Sequence, residues 1–105
     1  MNLSGTSGGS VDSKGCGFIS QSPSQVINVT ERIDYLRLRV QSNGGQPTLL
    51  VKGPSKGDRF CALADGLSSN NPEISGVWEP GTYYIYVGDR GGSQHPYTLN
   101  ISKKK

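Results

Sequence analysis

Two carboxylates and two carboxamides crowd one irregular segment: Asp65, Asn70, Asn71 and Glu73. Hard cations take oxygen donors of this kind, and calcium asks for about six to eight of them. The segment is therefore a candidate calcium site, though its spacing matches no established calcium loop. An Asx-rich turn, in which Asp and Asn bond their own backbone, is the other reading of these residues. His95 is the single histidine. A Ser-His-Asp set is spatial, so composition does not exclude it. However, the chain has no nucleophile elbow, and His95 precedes Pro96 in a loop. A thin core also leaves little room for a reaction pocket. The expectation is a protein that is not an enzyme and that has no cofactor beyond the candidate calcium.

Cys16 and Cys61 are the two cysteines, and no Cys-x-x-Cys is present, so a zinc site is not expected. In a small Gly-rich chain they favour a disulfide, with two buried free thiols as the alternative. A bond closing that loop would stabilise the fold by about 4 kcal/mol in the chain-entropy model. That is comparable to the net stability of many small domains. Tyr35, Tyr84 and Tyr86 are expected on outward faces, and with Trp78 they form a candidate partner-binding set. Tyrosine offers apolar area with a polar tip, which suits a sugar ring or a partner protein. Cross-strand pairing that stabilises the sheet is the alternative, and Trp78 also suits packing at the edge of a sandwich. Asn2-Leu3-Ser4, Asn28-Val29-Thr30 and Asn100-Ile101-Ser102 match the glycosylation acceptor pattern, which matters only in a eukaryotic secretory pathway.

The elements that must position these residues are strands. The chain has 105 residues, enough for one domain. It is 32% hydrophobic and contains 15 glycines, which suits short strands joined by tight turns. No ten-residue stretch both lacks a breaker and carries a helical apolar period. Residues 1–14 are Gly/Ser-rich and read as a flexible leader, residues 15–102 as the domain, and residues 103–105 as a solvated basic tail. Period-two alternation is clearest over residues 33–41 and 82–88. In the first, Leu36, Leu38 and Val40 face one way and Tyr35, Arg37 and Arg39 the other. In the second, Tyr83, Ile85 and Val87 oppose Tyr84 and Tyr86. Shorter runs cover residues 17–20, 25–30, 47–53, 58–63, 72–78 and 96–102, with turn signals such as Asn43-Gly44 and Glu79-Pro80-Gly81 between them. About eight short antiparallel strands at regular spacing read as an all-β, jelly-roll-like sandwich with one disulfide.

The net charge of +3 owes much to Lys103, Lys104 and Lys105. The basic residues of the body, Arg37, Arg39, Lys52 and Arg59, are interleaved with polar ones and follow no nucleic-acid motif, so no nucleic-acid partner is expected. No transmembrane span or signal peptide is visible, and no membrane insertion is expected. An exported chain would have its signal removed, replaced or supplied by a larger parent.

Gly45-Gln46-Pro47-Thr48-Leu49-Leu50-Val51 followed by Gly53-Pro54 resembles the central strand of bacterial pre-peptidase C-terminal domains and their small secreted relatives. Gly76-x-Trp78-x-Pro80-Gly81-Thr82-Tyr83-Tyr84 is similar to that family's Pro-x-Gly-Thr-Tyr-Tyr signature, and Val87-Gly88 with Tyr97-Thr98-Leu99 resembles its closing strand. The similarity runs from Cys16 to Ser102. It implies a jelly-roll-like sandwich on exported bacterial proteins, often beside a protease, and a non-catalytic role. Some collagenase relatives bind collagen and calcium. The secreted relatives often place acidic residues directly after the second cysteine, whereas here Ala62-Leu63-Ala64 precede Asp65.

The resulting expectation is a secreted, periplasmic or cell-surface binding or accessory module. It would attach to a protein or polysaccharide surface, or to copies of itself. The alternative is a structural subunit or repeat of an extracellular assembly, a fibre or surface layer, joined through open strand edges.

Overall fold

The period-two stretches are realised as strands. The computed structural model describes residues 1–42, 44–55, 57–63 and 71–103. The strands are β1 (Asn2–Thr6), β2 (Val11–Asp12), β3 (Phe18–Ile19), β4 (Gln25–Val29), β5 (Ile33–Ser42), β6 (Pro47–Lys52), β7 (Arg59–Leu63), β8 (Glu73–Trp78), β9 (Gly81–Asp89) and β10 (Pro96–Ser102). All pairings are antiparallel and build two sheets. The smaller sheet has four strands in the order β1-β10-β5-β8. The larger has six, running β2-β3-β9-β6-β7, with β4 also paired to β9.

The inward rows of both sheets meet in one core. Leu38, Val40 and Leu99 of the smaller sheet pack against Leu49, Val51, Ile85 and Val87 of the larger, all essentially excluded from water. Alternation puts the residues between them on the outer faces. One bulge interrupts this in β5: Ile33 pairs with Trp78 and Leu36 with Gly76, so β5 carries an extra residue there. The bulge lets Ile33 and Leu36 both turn inward although their spacing is odd.

Residues 1–14 are not the flexible leader that their composition predicts. β1 pairs along β10 from Asn2↔Asn100 to Thr6↔Pro96. Its Leu3 packs on the core, and Ser7 and Gly8 are buried. The chain then passes to the other sheet, held by hydrogen bonds from Ser7 N to the His95 carbonyl (2.8 Å) and from Gly8 N to the Val87 carbonyl (3.1 Å). Backbone pairing to an existing edge needs few apolar side chains, so a Gly/Ser-rich segment can supply a strand.

Residues 13–17 then form a strap over the outer face of the larger sheet. The Ser13 hydroxyl donates to the Gly17 carbonyl (2.5 Å) and accepts from Cys16 N (2.9 Å). Thr48 Oγ1 donates to the Cys16 carbonyl (2.7 Å), and Arg59 Nη2 to that of Ser13 (2.6 Å). Gly17, at φ 73°, lies so near the sheet that a Cβ would fall 2.7 Å from the Asp89 carbonyl oxygen. The disulfide joins the buried Cys16 of the strap to the exposed Cys61 of β7. Under the strap, Cys16, Ile19 and Leu50 form a second buried cluster, flanked by Val11 and Tyr86.

Candidate functional site

The outward residues of β4, β9, β6 and β7 stand in register on the larger sheet. Val26 pairs with Tyr84, Tyr84 with Lys52, and Lys52 with Arg59; one pleat along, Tyr86 pairs with Leu50 and Leu50 with Cys61. Val26 and Tyr84 are 52% and 43% exposed, a contiguous apolar step on an open face. Lys52 Nζ lies 5.4 Å from the centre of the Tyr86 ring, within cation–π reach. Tyr84 also borders a shallow depression shared with Gly53, Pro54, Asp58 and Arg59. Among the described residues, no carboxylate lies within 4.0 Å of the Lys14, Lys52 or Arg59 side-chain nitrogens.

The predicted tyrosine set does not assemble as one patch. Tyr35 stands beside the β5 bulge on the smaller sheet, across the sandwich from Tyr84 and Tyr86. Trp78 is 5% exposed and turns inward, its ring centre 4.4 Å from that of Tyr83. β8 is an edge strand, so Trp78 closes the border of the core.

Of the candidate calcium ligands, Asp65 and Asn70 lie outside the described residues. Asn71 and Glu73 face arginines. With its amide oriented to suit its neighbours, Asn71 accepts from Arg39 Nη2 (3.1 Å) and donates to the Val40 carbonyl (3.2 Å). Glu73 Oε1 lies 3.8 Å from Arg37 Nε. Two guanidinium groups beside these donors oppose a second cation by simple repulsion. Among the described residues no three His, Cys, Asp or Glu side chains are grouped to hold a metal.

His95 belongs to a structural corner. Its backbone N–H donates to the Ser7 hydroxyl (3.3 Å), and that hydroxyl donates to its carbonyl (3.2 Å), so the nearby serine serves the backbone and not the ring. Gly45 is wedged against the His95 ring and the Asp89 carboxylate. Asp89 is 3% exposed, and its two oxygens accept from Gln46 N (2.9 Å) and Gly91 N (2.8 Å), tying two loops together.

A site that sequence reasoning missed opens where β7 and β8, an end strand of each sheet, face each other. A cleft of about 260 Å³ lies there, walled by Phe60, Ile74, Trp78 and Tyr83. Gly76 occupies an inward position of β8 between Ile74 and Trp78, and a Cβ there would meet nothing within 4 Å. Phe60 points to the same interior yet stays 52% exposed. Asp58 and Glu79 are the charged residues that line the cleft. The Tyr83 hydroxyl donates to the Glu79 carbonyl (2.7 Å). Burial pushes the Tyr83 phenol above its ordinary 10.0, and the Glu79 and Asp58 charges push the same way. An isolated glycine in a strand pattern is the one sequence signal that pointed here.

No family model matches the chain. An uncharacterized protein of Synechococcus elongatus is 45% identical over 106 aligned positions, covering 97% of this chain and 75% of that protein. Among solved structures, the pre-peptidase C-terminal domain of collagenase from Bacillus anthracis superposes with a TM-score of 0.65 at 17% identity, covering 97% of this chain and 88% of that one. The expected jelly-roll-like sandwich with one disulfide is thus the observed fold, and it is the fold of pre-peptidase C-terminal domains.

Proposed function

The chain belongs to the family of that cyanobacterial protein, and from this premise we propose that it is a non-catalytic accessory module of an exported protein. It attaches to an anionic polymer through the outer face of the larger sheet. The observation behind this reading is the open row Val26–Tyr84–Lys52–Arg59, which combines exposed apolar surface with cations that have no carboxylate partner among the described residues. An aromatic ring beside such cations suits a sugar ring bearing carboxylate or sulfate groups. Export is supported by the disulfide, since such bonds persist in oxidising compartments.

Affinity electrophoresis in gels containing polygalacturonate, with dextran as the neutral control, tests the reading. The expected result is retardation by polygalacturonate alone, weakened several-fold by Tyr84→Ala or Lys52→Ala and relieved by salt. Equal mobility in both gels would overturn it. If the free protein instead formed concentration-dependent polymers in the ultracentrifuge, a structural subunit of an extracellular assembly would replace it.

A further inference from the structure

The cleft between β7 and β8 lies on the inner side of the sheets; it shares Gly53, Pro54 and Asp58 with the depression beside Tyr84, but its walls are aromatic. Aromatic rings from both sheets line it: Phe60 from β7, Tyr83 from β9 and Trp78 from β8. Its charged lining consists of the carboxylates Asp58 and Glu79, and no lysine or arginine among the described residues lines it. Asp58 accepts from Ser55 N at 3.1 Å, and Glu79 lies 3.5 Å from the exposed Arg32, so both carboxylates are held while remaining open to solvent. Both charges raise the Tyr83 phenol, so both are felt at the cleft wall.

We propose that this cleft binds an alkylammonium group, presented as a lysine side chain of an attached protein. Aromatic faces attract such a cation through their quadrupoles, the lining carboxylates hold its charge, and apolar walls take its methylene stem. At about 260 Å³ the space is below the range usual for drug-sized ligands and suits one side chain. Gly76 makes the room: any side chain at that inward position would project into the cleft. β7 and β8 are end strands of their sheets, so the cleft lies at a border of the sandwich.

The protein reports on this cleft directly, because Trp78 is its single tryptophan. Intact protein is titrated with Nα-acetyl-lysinamide, with its neutral Nα,Nε-diacetyl counterpart and with n-butylammonium, while Trp78 fluorescence and the indole N–H resonance are followed. The expected result is a saturable millimolar response to lysinamide and none to the diacetyl compound. The Asp58→Asn/Glu79→Gln double variant should weaken the response roughly tenfold, the scale of losing a charged partner. Phe60→Ser, at a half-exposed site, should weaken it without unfolding the protein. Tyr84→Ala should leave it unchanged while weakening polymer retention, which separates this site from the sheet face. Equal responses to the charged and neutral lysine compounds, or a response that survives the double variant, would overturn the proposal. If butylammonium bound while lysinamide did not, the side-chain source would be refuted in favour of a free amine.

Discussion

The two outer faces of this sandwich have the same pleat and opposite character. On the smaller sheet, the outward row Asn2–Asn100–Arg39–Glu73 is polar across all its strands. Asn100 donates to Asn2 at 2.8 Å, Arg39 is met by Asn71, and Arg37 by Glu73. Its polar groups largely answer one another. On the larger sheet, the outward row holds Leu50, which is wholly buried although it points away from the core, and then Tyr84 and Lys52, which are open. The difference comes from the strap. Residues 13–17 and their disulfide cover one half of that face and convert it into a second small core, leaving the other half exposed. An outward residue is therefore wet or dry according to what crosses it, and alternation alone does not decide which.

The largest test of this contrast is removal of the cross-link. The Cys16→Ser/Cys61→Ser variant should lose about 4 kcal/mol in urea unfolding, the chain-entropy value for a loop of this length. Amide exchange over residues 13–17 should accelerate more than in β1. An unchanged midpoint would mean that the strap contributes nothing to stability.

Next comes Leu50→Ala, which should cost about 3 kcal/mol, as a core truncation does. Thr98→Ala, on the outer face of the smaller sheet, should stay within about 0.5 kcal/mol. Similar costs at the two positions would erase the distinction between the faces.

Tyr83, the inward neighbour of Tyr84, gives a pH test. Its phenol is raised in the folded state, first by burial and then by Glu79 and Asp58. The unfolded chain therefore releases this proton first. The associated stability is intact below about pH 10, the ordinary tyrosine value, and is lost as pH rises through the folded value. Tyr83→Phe should flatten the alkaline fall in melting temperature; an unchanged profile would sever the link between this buried phenol and stability.

The smallest effect belongs to the paired charges. A double-mutant cycle on Arg37 and Glu73, 3.8 Å apart and both partly exposed, should give a coupling below about 1 kcal/mol that fades with salt.

Much of this was legible from residue types alone. Leu36, Leu38 and Val40 against Arg37 and Arg39 announced the centre of the smaller sheet, and Tyr83, Ile85 and Val87 that of the larger, because a half-buried strand must alternate. The cysteine pairing followed from there being two cysteines in a strand-rich chain. The first fourteen residues misled, because Gly and Ser can pair through backbone alone and carry no hydrophobic period to betray it. Tyr35 was grouped with Tyr84 and Tyr86 because alternation shows that a residue points outward but not from which sheet.

The sequence by itself determined the local geometry: which stretches are extended, where they turn, and which side chains share a face. Steric alternation and turn chemistry act over a few residues, so neighbours suffice to read them wherever the strand carries a hydrophobic period, as β1 does not. Only the tertiary structure decided that the strap covers Leu50, that the tyrosines part company, and that Gly76 and Phe60 leave a cleft between two end strands. Those outcomes depend on which strands become neighbours across long loops, and that choice is made by burial of the whole chain at once.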